Sequence, residues 1–532
     1  SHELSTCISK RHREPVKLNA YLRFPEQMTA RETTNTGRRY ILNTAFGGMS
    51  WILPILISFV ATPIILKKLG VVQYGLYATI LGFISYSFVF GIGKVLVKYI
   101  AEYRASGEIE KISIVVSSTF WLSIAFSMLG ALIAAAFATP LVRDVLAIPE
   151  SEQRIAVVGI YLACGAIVVS MLSQVFQFIL QGLHRFGTLL LLANISGLIL
   201  NSGNIALALL GFDMRFLLGW NLISLAAMAL TYGVIARKHL PEFSLSLSKA
   251  RKIPAQLIRY SSSVILYQAI GNILFLFERG IVLREFGAEV ASYYLVPMTL
   301  GIYLHGATAS LLQATFPLIN EMLEEKERLI RLYQKATKLT LTIVVFALLS
   351  VAVLGRTFLS LWIDAEFANR SFVFLEIHAL TFGLIALWIN GWSLAEGLRQ
   401  PRFAVIVTAI WSLVAIPLMI AAASNESVAG VAISRLLGVA VTVPMIFYFE
   451  KRFLGRAVWM FWANCLVKLA IAGAAAVLVQ HLVLQFGPFS QVVNFLLAAS
   501  ASSMVFLAGL IVTGFVDAEE RAAVFSLFRR VY

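Results

Sequence analysis

Between Ile41 and Phe515 the chain passes through roughly fourteen stretches of 18–30 mostly apolar residues, parted by short polar breaks. That succession leaves few folds open. About 20 apolar residues in a helix cross a hydrocarbon core. Lipid offers no hydrogen-bond partners, so each run must pair its own N–H and C=O groups, as a helix does. The sequence therefore predicts an all-α integral membrane protein of about 14 transmembrane helices. They are expected near 41–66, 76–97, 113–139, 155–180, 188–210, 215–236, 257–283, 290–318, 338–355, 372–395, 403–423, 428–449, 465–484 and 490–515.

Charge is scarce and one-sided. Charged residues make up 13% of the chain, against about 25% in soluble proteins. The net charge of +15 does not point to nucleic acid, because the basic residues lie in short loops between spans. With the N-terminus placed inside, 33 of the 43 Lys and Arg fall in inner segments and 8 in outer loops, while Arg279 and Arg435 fall within spans. The positive-inside rule then predicts both termini cytoplasmic. The inner loop 319–337 reads as a short amphipathic helix on the membrane face. Outer loops are too short to hold a catalytic domain.

Cys7, Cys164 and Cys465 form no disulfide framework. No metal motif, nucleotide loop or nucleophile elbow stands out, so neither an enzyme nor a cofactor is expected. The basic N-terminus lacks the apolar core of a secretory signal. Met28 can serve as a start, and Ser1–Glu26 is expected to be an extension ahead of it.

An internal repeat is visible. Leu66, Lys67, Gly70, Tyr77 and Tyr86 match Leu283, Arg284, Gly287, Tyr294 and Tyr303, every pair 217 residues apart. Both copies occupy the first outer turn of a six-helix block, and six is even, so both blocks enter the bilayer from one side. Two six-helix lobes related by a parallel pseudo-repeat, with a path between them, are expected. The divisions are a basic N-terminal segment (1–40), an N-lobe (41–236), an inter-lobe loop (237–256), a C-lobe (257–450), two further helices (451–515) and a cytoplasmic tail (516–532).

Here the chain resembles the polysaccharide-lipid flippases of the multidrug/oligosaccharidyl-lipid/polysaccharide exporter superfamily. The likeness rests on Leu69-Gly70, Tyr74-Gly75-Leu76-Tyr77, Phe90-Gly91-Ile92-Gly93, Lys98-Tyr99-Ile100-Ala101-Glu102-Tyr103, and Glu278-Arg279 followed by Leu283, Gly287 and Tyr293-Tyr294. Glu278 stands where Asp is commoner, and Ser292 where Gly is usual. The resemblance implies transfer of an undecaprenyl-diphosphate-linked oligosaccharide, an O-antigen, capsule or exopolysaccharide repeat unit. Transfer would run from the inner to the outer leaflet of the bacterial inner membrane by alternating access, driven in many members by an ion gradient, proton or sodium. Partners would be the glycolipid, membrane lipids, and the pathway's polymerase and glycosyltransferases.

Such a cargo needs cations for phosphate, amides for sugar hydroxyls and a lateral route for the lipid tail. Charge buried in a bilayer costs about 3 kcal/mol on insertion scales, so charged residues within spans are candidates. Arg435 lies deepest in its span. Arg279 shares a helical stripe with Ser261, Gln268 and Asn272, and would contact phosphate unless it snorkels to the surface beside Glu278. Lys94 and Lys98 share a stripe with Ser87 and Gly91, either drawing in the diphosphate or anchoring the inner face. Gln174, Gln177 and Gln181 line one face with Ser170, suiting sugars or inter-helix bonds, and Asn194 and Asn201, with Asn204 near them, offer a lesser face. Arg435 could instead pair with a carboxylate from another span. Glu278, Glu376, Glu396 and His378 are the coupling candidates, all read as lying near helix ends. Pro54, Pro63, Pro297, Pro317 and Pro417 could bend helices as the lobes rock. The rivals are a peptidoglycan-precursor flippase, a cation-coupled small-molecule antiporter and, more distantly, an oligosaccharide polymerase or ligase.

Overall fold

The computed structural model describes residues 55–86, 92–241, 244–250, 255–312, 325–398, 400, 402–517 and 520–521. The basic N-terminal segment lies outside that set, as do Ser87 and Gly91 and the side chains of Lys94, Lys98, Ser261 and Glu396. The described residues are nearly all helical and contain no strand. In chain order the helices are α1 (55–69), α2 (Val71–Tyr86), α3 (Ile92–Ala105), α4 (Ile109–Ala136), α5 (Glu150–Gly182), α6 (Phe186–Leu209) and α7 (Met214–His239). They continue as α8 (Ala255–Leu311), α9 (Lys326–Trp362), α10 (Ala365–Gly397), α11 (Arg402–Ser424), α12 (Val428–Ala440), α13 (Met445–Phe453), α14 (Trp459–Phe486) and α15 (Gln491–Val512).

Among the described residues ten helical stretches are long and apolar enough to cross a membrane: α4 to α7, α9 to α11, α12 continuing into α13, α14 and α15. They match ten of the expected spans. The other four fall on α1 to α3 and α8. Their outward faces are apolar: Leu230, Val234, Leu413 and Met504 are each 69–74% exposed. A soluble protein does not display so much hydrocarbon, whereas lipid tails receive it.

α8 has 57 residues and is bent at Gly287, where φ is 82° and ψ 171°. Gly70, between α1 and α2, has φ 78°. A Cβ is strained at such a φ, so glycine belongs at both turns. The flanking repeat partners are buried alike: Leu66 and Leu283 at 4% and 3%, Tyr77 and Tyr294 at 4% and 0%. The same glycine-turned helix pair thus opens each six-helix block.

In the first block α5 packs against α4 and α7, with α6 on α7; in the second, α8 and α10 pack with α11 and α12, and α9 lies on α10. α14 and α15 pair and lean on α9. The blocks meet chiefly along α2 and α8.

Three boundaries differ from expectation. The amphipathic segment at 319–337 is not a separate helix in its described part, because α9 runs unbroken from Lys326 to Trp362. Leu329, Ile330 and Tyr333 are buried while Glu327 and Arg328 are exposed. No proline interrupts this stretch, and extending a helix costs far less than nucleating one. For the same reason the expected inner loop after 97 is helical up to Ala105. The span expected at 428–449 breaks after Ala440 and resumes behind Pro444, whose missing N–H disrupts the helical ladder. Pro297 and Pro417 lie inside continuous helices.

Candidate functional site

One face of α2 carries Val71, Gly75, Ala78 and Gly82, spaced by four, three and four residues, so they form one stripe. α8 lies against it. The Ser292 hydroxyl donates to the Val71 carbonyl. A Cβ on Gly75 would stand 1.9 Å from the Ala288 carbonyl oxygen, so only glycine permits this approach. Arg279 Nη1 donates to the Ala78 carbonyl at 3.1 Å. A Cβ on Gly82 would lie 2.6 Å from Arg279 Cδ and 2.9 Å from its Nη1, so that glycine makes room for the guanidinium. At the same end of the bundle Arg284 Nη1 donates to the carbonyls of Asp144 and Val145, at 3.2 and 3.1 Å. Trp362 Nε1 donates to the Phe59 carbonyl at 2.8 Å, joining α9 to α1.

Glu278 precedes Arg279 and points the other way, into the second block. Its carboxylate forms an ion pair with Arg435 of α12 and accepts a 2.6 Å hydrogen bond from the Tyr294 hydroxyl. Glu278 and Tyr294 are 0% exposed and Arg435 2%. The Arg435 guanidinium lies 3.9 Å from the Phe275 ring centroid and 5.2 Å from that of Phe382, a cation–π setting that is strong where water is excluded. His378 of α10, fully buried, meets Tyr294 edge to face with ring centroids 4.6 Å apart. Neither His378 ring nitrogen has a hydrogen-bond partner among the described residues. A buried pair of this kind is costly to break, about 3–5 kcal/mol when one partner is removed.

Three of the sequence candidates, Glu278, His378 and Arg435, thus meet in one cluster, with Arg279 at its edge. Two expectations change. Glu278 and His378 are not solvated: Glu278 lies two to three turns before the Gly287 bend of α8, and both are sealed among α8, α10 and α12 at 0% exposure. Arg435 faces no open cavity; the buried carboxylate of Glu278 holds it, and both charges need each other. Arg279 does not snorkel outward, being 5% exposed. Glu376 is exposed on α10, while Lys94, Lys98 and Glu396 fall outside the described side chains.

The amide candidates are part-buried. Gln268 and Asn272 lie on α8 two turns and one turn ahead of Phe275, and Gln268 Oε1 is buried without a partner among the described residues. Gln177 bonds Ser173 of its own helix at 3.1 Å, and Asn201 the Gly197 carbonyl at 2.9 Å. Gln174 and Gln181 flank Gln177 on α5.

Several contributors had no partners assigned from the sequence. Phe275, Phe382 and Gly82 were not named, and Gly75 stood only within the Tyr74–Tyr77 motif, although its seven-residue spacing from Gly82 puts both on one face. Tyr77 accepts from Asn204 at 3.2 Å and Asn221 at 3.4 Å, and the two amides bond each other at 2.9 Å. Glu450 is 0% exposed and accepts from Tyr333, Trp462 and the Val458 N–H at 3.1, 2.7 and 2.9 Å. Its place at the expected end of a span hid it. A separate cavity of about 370 Å³ lies among α8, α9, α10 and α15, lined by apolar side chains such as Leu304, Phe346, Phe358 and Phe495, with Ser350 and Ser503 its polar exceptions.

A model of the family described as polysaccharide biosynthesis protein matches residues 41–323. The chain belongs to that family. It is 21% identical over 380 residues to a Shigella flexneri protein named "Putative O-antigen transporter", covering 69% of this chain and 87% of that one. The fold is that of the lipid II flippase MurJ in its inward closed conformation, with a TM-score of 0.70, 14% identity, and coverage of 89% of this chain and 99% of that one. An inward-facing multidrug resistance transporter of the MATE family gives 0.58, with 14% identity over 78% and 94% of the two chains. A MOP superfamily transporter from Pyrococcus furiosus gives 0.59, with 16% identity over 78% and 95%. The protein is therefore a multi-pass membrane protein of polysaccharide biosynthesis with a MOP transporter fold.

Proposed function

We propose that the protein moves an undecaprenyl-diphosphate-linked oligosaccharide from the inner to the outer leaflet of the bacterial inner membrane by alternating access of its two blocks. Both termini are cytoplasmic in this reading, by the Lys and Arg asymmetry. The observation that carries it is Arg279, a guanidinium held at the seam of a membrane-spanning bundle. Glu278 is paired with Arg435, and Arg279 beside it carries a further guanidinium toward the seam, chemistry that suits an anionic headgroup. Guanidinium matches phosphate oxygens in geometry and charge. Arg435 anchors Glu278, and Arg279 meets the diphosphate. Lys94 and Lys98 draw the headgroup in, while Gln268, Asn272, Gln174, Gln177, Gln181 and Asn201 supply amides for sugars. The apolar cavity beside α15 suits the lipid tail. A proton or sodium gradient drives the cycle through Glu278, with the ion exchanging for Arg435. The pathway's glycosyltransferases supply the cargo and its polymerase consumes it.

The test is headgroup accessibility in proteoliposomes. A radiolabelled polyprenyl-diphosphate oligosaccharide is placed in one leaflet, and its arrival in the other is read with an impermeant glycosidase. Protein-dependent arrival that is lost in Arg279→Ala is the expected result. No arrival with several glycan lipids, together with counter-transport of a small organic cation against protons or sodium, overturns the reading in favour of an antiporter.

A further inference from the structure

The two neighbours Glu278 and Arg279 divide their allegiance. Glu278 is locked within its own block by Arg435 and Tyr294. Arg279 reaches out of that block to a backbone carbonyl of the other, at Ala78. Successive helix positions differ by about 100°, so fixing Glu278 against α12 sets the rotation of α8 and aims Arg279 at α2.

The grip itself is peculiar. The Ala78 carbonyl lies within a regular helical stretch, four residues before Gly82, so it already accepts the backbone bond of its own helix and spends its second lone pair on Arg279. In this bond a charged donor meets a neutral, shared acceptor. Phosphate oxygens are stronger acceptors for guanidinium, and can take two parallel bonds. Elsewhere along the α2 stripe Gly75 packs on Ala288 and Ser292 bonds the Val71 carbonyl, while Arg284 grips the Asp144 and Val145 carbonyls at the same end.

We infer that Arg279 is a latch between the blocks, and that an anionic group of the substrate opens it by taking the guanidinium from the Ala78 carbonyl. This rests on the flippase reading above for the identity of the anion, and adds how binding is converted into movement. The empty latch holds the Gly70/Gly287 end shut. A diphosphate at Arg279 removes the charged bond to the Ala78 carbonyl, and the described contacts left on the α2 stripe are van der Waals contact at Gly75 and the Ser292 hydroxyl bond, which part more readily. Gly82 belongs to the device, since a methyl group there displaces the guanidinium without altering any charge.

The test reads seam width directly. Val72 and Glu289 are both exposed, on α2 and α8 near the crossing. Spin labels at Val72→Cys and Glu289→Cys, in full-length protein whose native cysteines are replaced by Ala, report the separation in lipid nanodiscs. The probes are undecaprenyl diphosphate and uncharged undecaprenol. In the parent, undecaprenyl diphosphate shifts the distribution to a longer distance and undecaprenol does not. In Arg279→Gln and in Gly82→Ala the longer distance dominates without lipid, and undecaprenyl diphosphate adds nothing. A lipid-free seam as narrow in both variants as in the parent overturns the latch. So does a parent seam that ignores undecaprenyl diphosphate. In either case glycan-lipid transfer by the same protein in vesicles tells whether the flippase reading falls with it: persistent transfer removes the latch alone, and absent transfer removes both.

Discussion

Tyr77 and Tyr294 occupy the same repeat position in the two blocks, both buried about two helix turns past the glycine that turns the chain, yet they do opposite things. In the first block the Tyr77 oxygen accepts from two asparagine amides, Asn204 and Asn221, in a neutral triad. In the second the Tyr294 hydroxyl donates to Glu278, which is paired with Arg435. One backbone frame carries an uncharged lock and a charged one. A neutral triad is insensitive to ions and anions passing near it. An ion pair in low dielectric responds strongly to any new charge. In the proposed cycle the second block carries the responsive element and the first is its stiff counterpart.

Removing Arg435 breaks the comparison hardest. Arg435→Ala leaves Glu278 buried and unpaired and is expected to cost about 3–5 kcal/mol, seen as a large fall in thermal unfolding temperature in detergent. Glu278→Leu combined with Arg435→Met removes both charges and is expected to recover most of that loss, because replacing a buried pair by apolar side chains is often neutral. If the double variant is as unstable as Arg435→Ala, the penalty comes from lost packing rather than from an orphaned charge.

Next in size are the tyrosines themselves. Tyr294→Phe deletes a bond to a charged acceptor, worth about 1.5–3 kcal/mol, whereas Tyr77→Phe deletes bonds among neutral groups, worth about 1 kcal/mol. Equal losses for the two variants in one unfolding assay would erase the distinction between the locks.

How far the sequence reveals these features depends on what each residue does. Apolar runs, Lys and Arg asymmetry and the paired Gly70 and Gly287 turns are local and periodic, so the bundle and its repeat were legible. Glu278, Arg279, His378 and Arg435 were legible as candidates, because charge within a span is rare. Their partnerships were not. Glu278 lies 157 residues from Arg435, and no one-dimensional pattern says that they meet or that two adjacent charges point into different blocks. The α2 seam was half visible: Gly75 and Gly82 share a face, but helix glycines at a contact look like helix glycines elsewhere. Glu450 escaped because a carboxylate at a span's end is usually solvated, and only the fold brings Tyr333 and Trp462 over it.

The smallest effect concerns the caps of the last span in each block. Asp213 caps α7, accepting from the Arg215 N–H at 2.8 Å, and Ser427 caps α12, accepting from the Gly430 N–H at 3.0 Å. Either cap replaced by Ala should cost about 1 kcal/mol. The Arg215 guanidinium and burial act on Asp213 in opposite senses, and the guanidinium bond prevails, holding its carboxyl below the usual carboxylate range. Its contribution is therefore complete above the ordinary carboxylate pKa and is lost as pH falls through the lowered one, while that of Ser427 is constant. Unfolding of Asp213→Ala should converge on the parent in acid, and that of Ser427→Ala should keep its distance at every pH.

In the proposed cycle transport uses the charged lock of the second block and not the neutral one of the first. Transfer of a polyprenyl-diphosphate oligosaccharide across proteoliposomes, compared between Glu278→Leu/Arg435→Met and Tyr77→Phe/Asn204→Leu at matched folded protein, measures it. The account predicts a loss of more than about tenfold for the first pair, equivalent to at least about 1.4 kcal/mol on the rate-limiting step, and near-parental transfer for the second. Parental transfer with the ion pair removed, or a collapse confined to the Tyr77 pair, would contradict it.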